Sequence, residues 1–294
     1  EDFAVIFPQG GATLQMAMVP QNLAKPGDTV DYVVTGSWGA KAAGEARKFC
    51  KVNIAADAAD RNYTYIPKPT EWQLSKGAAY VHYVPNETIA GVEFHFVPDC
   101  DAPLVADMSS TILSRPIDVE RFSVIYAGAQ KNIGPAGVTL VIVRKDLLER
   151  APKSLAHLMT WRSYAESDSM TNTPPTFAWY VADKVFEWLL ENGGVEGMAV
   201  VNERKAHKLY DAIDASDFYS NPIARDARSW MNVPFILADA SLDKKFLVEA
   251  ESAGLTNLKG HRSVGGMRAS IYNAVPEEAV DALIEFMREF ERNV

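Results

Sequence analysis

Seven short apolar runs dominate the first half of the chain: Ala4–Phe7, Val30–Thr35, Val52–Ala56, Tyr80–Tyr83, Leu104–Asp107, Val124–Gly128 and Val138–Val143. Several carry apolar residues at consecutive positions. Strands covered on both faces read this way, whereas a strand with one wet face alternates apolar and polar residues. Segments of helical length, such as Ala12–Leu23 and Ala40–Cys50, lie between some of the runs. Strands alternating with helices predict an α/β fold built on a large, mostly parallel, seven-stranded sheet. In such sheets ligands collect beyond the carboxyl ends of the strands.

The second half reads differently. Phe177–Glu191 forms a long helix with Val181, Val185, Trp188 and Leu189 on one face, between Pro174-Pro175 and Gly193-Gly194 as start and stop signals. Beyond it, Asn232–Leu237 and Met267–Tyr272 are strand-like. Pro276–Phe290 is a strong amphipathic helix, with Pro276 near its first position and Ala279, Val280, Leu283, Ile284, Met287 and Phe290 on one stripe. The expected division is a large domain over residues 1–192 and a smaller C-terminal α+β domain over 193–294. A chain of 294 residues is long enough for both.

Composition narrows the function. Lys and Arg total 29 against 38 Asp and Glu, a net charge of -9, which argues against nucleic-acid binding through general charge. The two cysteines, Cys50 and Cys100, are too few for a disulfide framework and read as thiols of a reducing compartment. The residues from Glu1 to Pro8 show no basic segment followed by an extended apolar one, so no signal peptide is expected there. The longest apolar run, Val138 to Val143, is strand-sized, so no membrane span is expected and the location is taken as cytoplasmic. His82, His95, His157, His207 and His261 are scattered without the spacing of a zinc protease, and no CxxC pair exists, so no metal site is expected. A Walker A sequence, a GxGxxG after a strand and a GxSxG elbow are also missing.

Three strand-end features remain. Gly10-Gly11-Ala12-Thr13 follows the first strand and opens a helix. Bare backbone N–H groups there can approach a phosphate, although a tight turn explains a Gly-Gly pair equally well. Leu104-Val105-Ala106-Asp107 is an apolar strand ending in a carboxylate, which is either a functional acid or a solvated strand end. Val124 to Gly128 runs into Ala129-Gln130-Lys131-Asn132-Ile133-Gly134-Pro135, so Lys131 stands among apolar and small residues where partial burial and a lowered pKa are expected. Together the three describe a pyridoxal-phosphate site: a lysine for the aldehyde, a carboxylate for the ring nitrogen, and a helix start for the phosphate. The 24 residues from Asp107 to Lys131 allow one intervening strand, so both can face one cleft.

Five stretches, in order along nearly the whole chain, closely resemble the phosphoserine aminotransferases, a family of class V, fold-type I pyridoxal-phosphate enzymes. They are Gly128 to Gly137, Asp107-Met108-Ser109-Ser110, His82 to Thr88, Asn172-Thr173-Pro174-Pro175-Thr176, and Gly260 to Ser270. The resemblance implies Lys131 as the lysine bound to pyridoxal 5'-phosphate, Asp107 as partner of the ring nitrogen, and Trp38, which otherwise reads as a core residue, as the plate stacked on the ring. It implies Thr88 near the phenolic oxygen. Gly11, Ala12 and Gln130 would hold the phosphate, joined by Asn172 and Thr173 from the other subunit of a homodimer with shared sites. Arg268 would receive the substrate carboxylate, and His261 and Arg262 the substrate phosphate.

The implied reaction exchanges an amino group between glutamate or 2-oxoglutarate and 3-phosphohydroxypyruvate or O-phosphoserine, in serine biosynthesis. A second expectation is the phosphohydroxythreonine step of vitamin B6 synthesis. The family also carries an opening segment, early helices and a His-Arg pair ahead of the strand at Ala4, which this sequence does not contain. A chain without them is expected to bind the cofactor yet use phosphoserine poorly. Two alternatives stay open on the residues: another class V aminotransferase, or a catalytically impaired protein that binds pyridoxal phosphate.

Overall fold

The computed structural model describes residues 2–262 and 264–294; Glu1, and Ser263 within the Gly260–Ser270 stretch, lie outside the described residues. All seven apolar runs become strands of one sheet: β1 (Phe3–Ile6), β2 (Thr29–Val34), β3 (Lys51–Asp57), β4 (Val81–Tyr83), β5 (Leu104–Asp107), β6 (Val124–Gly128) and β7 (Gly137–Arg144). Their order is β1-β7-β6-β5-β4-β2-β3, with the two-residue strand Gln9–Gly10 pairing with β7 off this path. The pairs β3–β2, β2–β4, β4–β5 and β5–β6 are parallel, and β7 runs antiparallel to β6 and to β1. The reversal at β7 follows from its short connection to β6, which carries Lys131. The strand expected between Asp107 and Lys131 is therefore β6 itself, next to β5.

Helix α1 (Ala12–Leu23) follows the turn after β1, and α2 (Ser37–Ala46) follows β2. The expected start of α2 at Ala40 is corrected to Ser37, because a distant carboxylate, Glu87, accepts the N–H groups of Trp38 and Gly39 in the first turn. The helix also stops short of Cys50. Arg47 to Cys50 unwind through turn hydrogen bonds to Ala43, Glu45 and Ala46, and Lys51 N–H is already committed to the Asp28 carbonyl at the start of β3.

Helices α3 (Trp161–Glu166), α4 (Thr176–Glu191) and α5 (Gly194–Asp214) come next, and α5 was not expected from the sequence. An antiparallel sheet of β8 (Tyr219–Ser220), β9 (Asn232–Leu237) and β10 (Met267–Ser270) is accompanied by α6 (Asp243–Ser252) and α7 (Glu277–Arg292). Pro276 is the N-cap of α7, one position before the expected one. β10 ends at Ser270, two residues early, because the fully buried Lys205 of α5 draws the carbonyls of Ile271, Tyr272 and Val275 to its ammonium. Among the described residues no helix is long and apolar enough to cross a membrane.

Two apolar clusters flank the main sheet, one with Met16, Tyr32 and Trp161, the other with Val81, Phe122 and Ile125. A separate cluster around Phe235, Phe246 and Phe290 fills the unit built on β9. Buried asparagines join that unit to the loop bearing the lysine. The Asn132 side chain donates to the Ile112 carbonyl and accepts the N–H of Asn273, whose own amide donates to the Leu113 carbonyl and accepts from Asn202.

A buried acceptor left without a donor costs about 1–3 kcal/mol. Asn273→Ala strands the Leu113 carbonyl and one amide proton of Asn202. It is expected to lower unfolding free energy by about 2–4 kcal/mol, read from urea melts; a change within about 0.5 kcal/mol, the range of ordinary surface substitutions, would deny the seam a structural role.

Candidate active site

The carboxyl ends of β2, β4, β5 and β6 and the turn after β1 converge on one cleft of about 110 Å³. Gly11, Ala12, Trp38, Thr88, Asp107, Gln130 and Lys131 all line it, so seven of the residues named from the sequence meet there. A larger hollow of about 450 Å³ beside Phe94 and Arg115 holds no comparable set. The Arg115 guanidinium is already engaged by Glu93, the Phe94 carbonyl and His95.

Lys131 leaves the end of β6 in a tight turn, in which Ala129 O accepts the N–H groups of Lys131 and Gly134, both at 2.7 Å. Its Nζ donates to Thr88 Oγ1. Loss of solvent around the amine pulls its pKa down to about 8 and the Arg268 charge assists, against the pull of Asp107 and Glu87 in the other direction. The amine therefore reaches its neutral, nucleophilic form far more readily than an exposed lysine does.

Asp107 closes β5 and is buried. Its Oδ1 accepts both the backbone N–H of Ser109, at 3.0 Å, and the Ser109 hydroxyl. Burial raises its pKa, while the Ser109 bonds, the Lys131 charge and the nearby Tyr126 hydroxyl work to lower it. Behind it, the Tyr126 hydroxyl lies 2.9 Å from His82 Nε2, and His82 stacks on Tyr32 at 4.8 Å between ring centroids.

Burial brings the His82 pKa down to about 3, so the ring is neutral. Among the described residues the Tyr126 hydroxyl has His82 as its hydrogen-bond partner, with the Asp107 charge close by. His82 Nδ1 has no hydrogen-bond partner among the described residues.

The opposite wall is backbone. α1 begins at Ala12 with no side-chain cap from Gly11; the Leu14 N–H donates to the Gly11 carbonyl, which leaves the N–H groups of Ala12 and Thr13 open to a ligand. Gly128 lets this end approach: a Cβ there would stand 3.3 Å from Ala12 N and 2.7 Å from Gln130 Oε1. Ser109 Oγ ties the same glycine in place by accepting its N–H at 3.0 Å.

Trp38 occupies the first turn of α2, half-buried, and its Nε1 has no partner among the described residues. Arg268, on β10, makes one long bond of 3.4 Å from Nη1 to the Thr88 carbonyl. Its buried Nε–H likewise has no partner among the described residues.

Five named residues are not part of the cleft lining: Arg268, which reaches it through the Thr88 carbonyl, and four that stand apart. Asn172 and Thr173 are exposed ahead of α4, where the Thr173 carbonyl accepts from Gln9 Nε2. His261 and Arg262 lie in the turn before β10, in which His261 O accepts the N–H groups of Val264 and Gly265.

Sequence reasoning assigned no role to Ser109, Tyr126, His82 or Glu87. Ser109 was within reach, because an acidic residue bonding to the N–H two positions on is a local turn signal. The other three act across strands and carry no local signature. Glu87 is fully buried, and burial pushes its carboxyl up to about 7, against the opposing effect of the N–H groups of Gly39 and Trp38.

Comparisons with known proteins identify the family. The family model "Aminotransferase class-V" matches residues 1–283. The phosphoserine aminotransferase of Hahella chejuensis is 62% identical over 291 residues, covering 99% of this chain and 81% of that protein. That of Pseudomonas aeruginosa is 57% identical over 292 residues, with the same coverage of 99% and 81%.

Among solved structures, the phosphoserine aminotransferase of Bacillus circulans subsp. alkalophilus superposes with a TM-score of 0.97 at 48% identity, covering 99% of this chain and 81% of that one. The pyridoxal-phosphate-bound enzyme of Trichomonas vaginalis does so with a TM-score of 0.93 at 43% identity, covering 98% and 83%. With these matches spanning sequence and fold alike, the chain belongs to the class V, fold-type I aminotransferases and, within them, to the phosphoserine aminotransferase family.

Proposed function

We propose that this chain transfers an amino group between glutamate or 2-oxoglutarate and 3-phosphohydroxypyruvate or O-phosphoserine, using pyridoxal phosphate. The observation that carries the reading is Lys131, its amine brought down to about 8 within reach of the Asp107 charge, in a cleft walled by the uncapped start of α1. The donor set fits the group: bare N–H groups suit a phosphate, a buried carboxylate suits a ring nitrogen, and the amine suits an aldehyde. Bound there, pyridoxal phosphate supplies an electron sink for the α-carbon of the amino acid.

The chain's own residues do the rest. Asp107, oriented by Ser109, would hold a proton on the ring nitrogen. Lys131, once freed, moves a proton at the substrate α-carbon as general base and acid. Arg268 offers its unpartnered Nε–H and a planar fork to the substrate carboxylate. Gly11, Ala12 and Gln130 receive the cofactor phosphate, Trp38 covers the ring face against water, and His261 and Arg262 serve the substrate phosphate.

Asn172 and Thr173 are assigned to the neighbouring site of a homodimer. Their exposure, together with Phe177 at 74% and Tyr180 at 60%, supports a covered face there. A division of the chain near residues 192 and 193 and a cytoplasmic location belong to the same proposal.

A coupled assay with phosphoserine and 2-oxoglutarate tests the reaction; absence of glutamate formation would reject it. Lys131→Ala is expected to abolish activity, and borohydride reduction of the wild type should fix the cofactor to the Lys131 peptide.

Asp107→Asn keeps the shape and removes the charge, so turnover should fall by several powers of ten, each tenfold step being ~1.4 kcal/mol. The same substitution removes a charge that raises the Lys131 pKa. In the cofactor-free protein, acylation of Lys131 followed by mass spectrometry should rise with pH through a midpoint near 8. That midpoint should lie lower in Asp107→Asn; an unchanged or higher one would contradict the coupling.

For the shared site, mixing Lys131→Ala with Asn172→Ala subunits should restore activity, because a mixed dimer holds one intact site. No recovery after demonstrated subunit exchange would remove Asn172 from its assigned role.

A further inference from the structure

Glu87 takes no part in the scheme above, yet both its carboxylate oxygens point at the start of α2. Oε2 accepts the N–H of Trp38 at 3.1 Å and Oε1 the N–H of Gly39 at 2.7 Å. First-turn N–H groups have no acceptor within their own helix, and the positive end of the helix dipole favours a negative charge there. The residue ahead of α2 supplies no side-chain cap, being Gly36. The cap therefore comes from a residue 49 positions later in the chain.

The fit is steric as well as electrostatic. A Cβ on Gly36 would come 2.5 Å from Glu87 Oε2, and one on Gly39 would come 3.4 Å from Oε1. Gly36 has φ 177°, an extended conformation open to any residue, so the carboxylate and not the backbone demands a glycine there. The neighbour of Glu87 on the chain, Thr88, accepts the hydrogen bond from Lys131 Nζ. One dipeptide thus touches α2 with its first side chain and the lysine with its second.

We infer that Glu87 is a positioning residue for Trp38: by capping α2 it holds the indole at the cleft, and the protein retains its cofactor more tightly for it. The inference rests on the proposal that Trp38 stacks against pyridoxal phosphate. A carboxylate supplies one acceptor to each N–H. Glutamine, of nearly the same shape, supplies one acceptor and turns an NH₂ donor against the other N–H, so Glu87→Gln breaks the arrangement with little change in volume. Gly36→Ala is an independent route to the same defect. It leaves every hydrogen-bonding group in place and pushes the carboxylate aside.

The test uses the whole chain at pH 8, above the midpoint of Glu87. Hydrogen exchange in the cofactor-free protein is read on peptides spanning residues 36–40, and the dissociation constant of pyridoxal phosphate is measured by equilibrium dialysis. Glu87→Gln and Gly36→Ala should each speed exchange at Trp38 and Gly39 about tenfold and weaken cofactor binding about tenfold, while exchange in β5 and β6 stays as in the wild type. In a Glu87→Ala background Gly36→Ala should have no added effect on either readout, because its steric partner is gone.

Unchanged exchange at Trp38 and Gly39, or faster exchange throughout the main sheet, overturns the inference, since the second result marks general loss of stability. So does unchanged cofactor affinity in Glu87→Gln when Trp38→Ala weakens it. If Trp38→Ala itself leaves the affinity unchanged, the stacking role fails and the positioning role falls with it. A local rise in exchange would still identify the cap, so the two failures are distinguishable.

Discussion

Parallel pairing of β5 with β6 sets Val105 opposite Val124, Ala106 opposite Ile125 and Asp107 opposite Tyr126, and the chemistry of the cleft depends on that register. Because side chains alternate between faces, a slip of one residue would send Asp107 to the other side of the sheet. It would break up the chain of neighbours Asp107, Tyr126 and His82. It would also move Lys131, which the turn after Gly128 holds at the same edge. On the other side of β5 the register continues with His82 opposite Val105 and Tyr83 opposite Ala106, so the three strands bearing this chain are locked together by backbone hydrogen bonds.

Burial then decides what these groups can do. Two carboxylates, Glu87 and Asp107, act on the amine of Lys131 together with the Arg268 charge. The carboxylates alone would raise the lysine pKa, but loss of solvent outweighs them and the amine ends near 8. Lys205 is a useful contrast. It is equally a lysine in a buried setting, but three carbonyls accept from its ammonium and bind the segment after β10. Burial brings both amines down to about 8, but Lys131 has one neutral hydroxyl as its hydrogen-bond partner among the described residues and lines the cleft, whereas Lys205 is enclosed. Access to the cleft, and not pKa or residue type, separates the two lysines.

Much of this was legible in the chain. The strands of the main sheet read correctly because strands covered on both faces need consecutive apolar residues, and Leu104-Val105-Ala106 and Val138 to Val143 have them. Lys131 and Asp107 were singled out because each ends such a run where a sheet of this kind binds ligands, and both line the one cleft. Helix α5 was not legible. Gly193 and Gly194 adopt positive φ, and together with Gly197 they make its start read as a loop, although the remainder buries Met198, Ala206, Leu209 and Ile213 on one face. The start of α2 was misplaced for the related reason that its cap, Glu87, is remote in sequence.

By itself the sequence determined which residues could be strands, which side chains could carry charge, and which strand ends could hold a lysine, a carboxylate and a bare helix start. Those properties are local: they depend on apolar periodicity, on the absence of a Cβ, or on a functional group. Only the tertiary structure decided that Glu87 would cap α2, that Tyr126 and His82 would stand behind Asp107, and that Asn132 would be tied to Asn273. These pairings join residues 44 to 141 positions apart. They exist because sheet register and the burial of two apolar cores bring the partners together, and a buried polar group must then bond to whatever donor or acceptor the fold has put beside it.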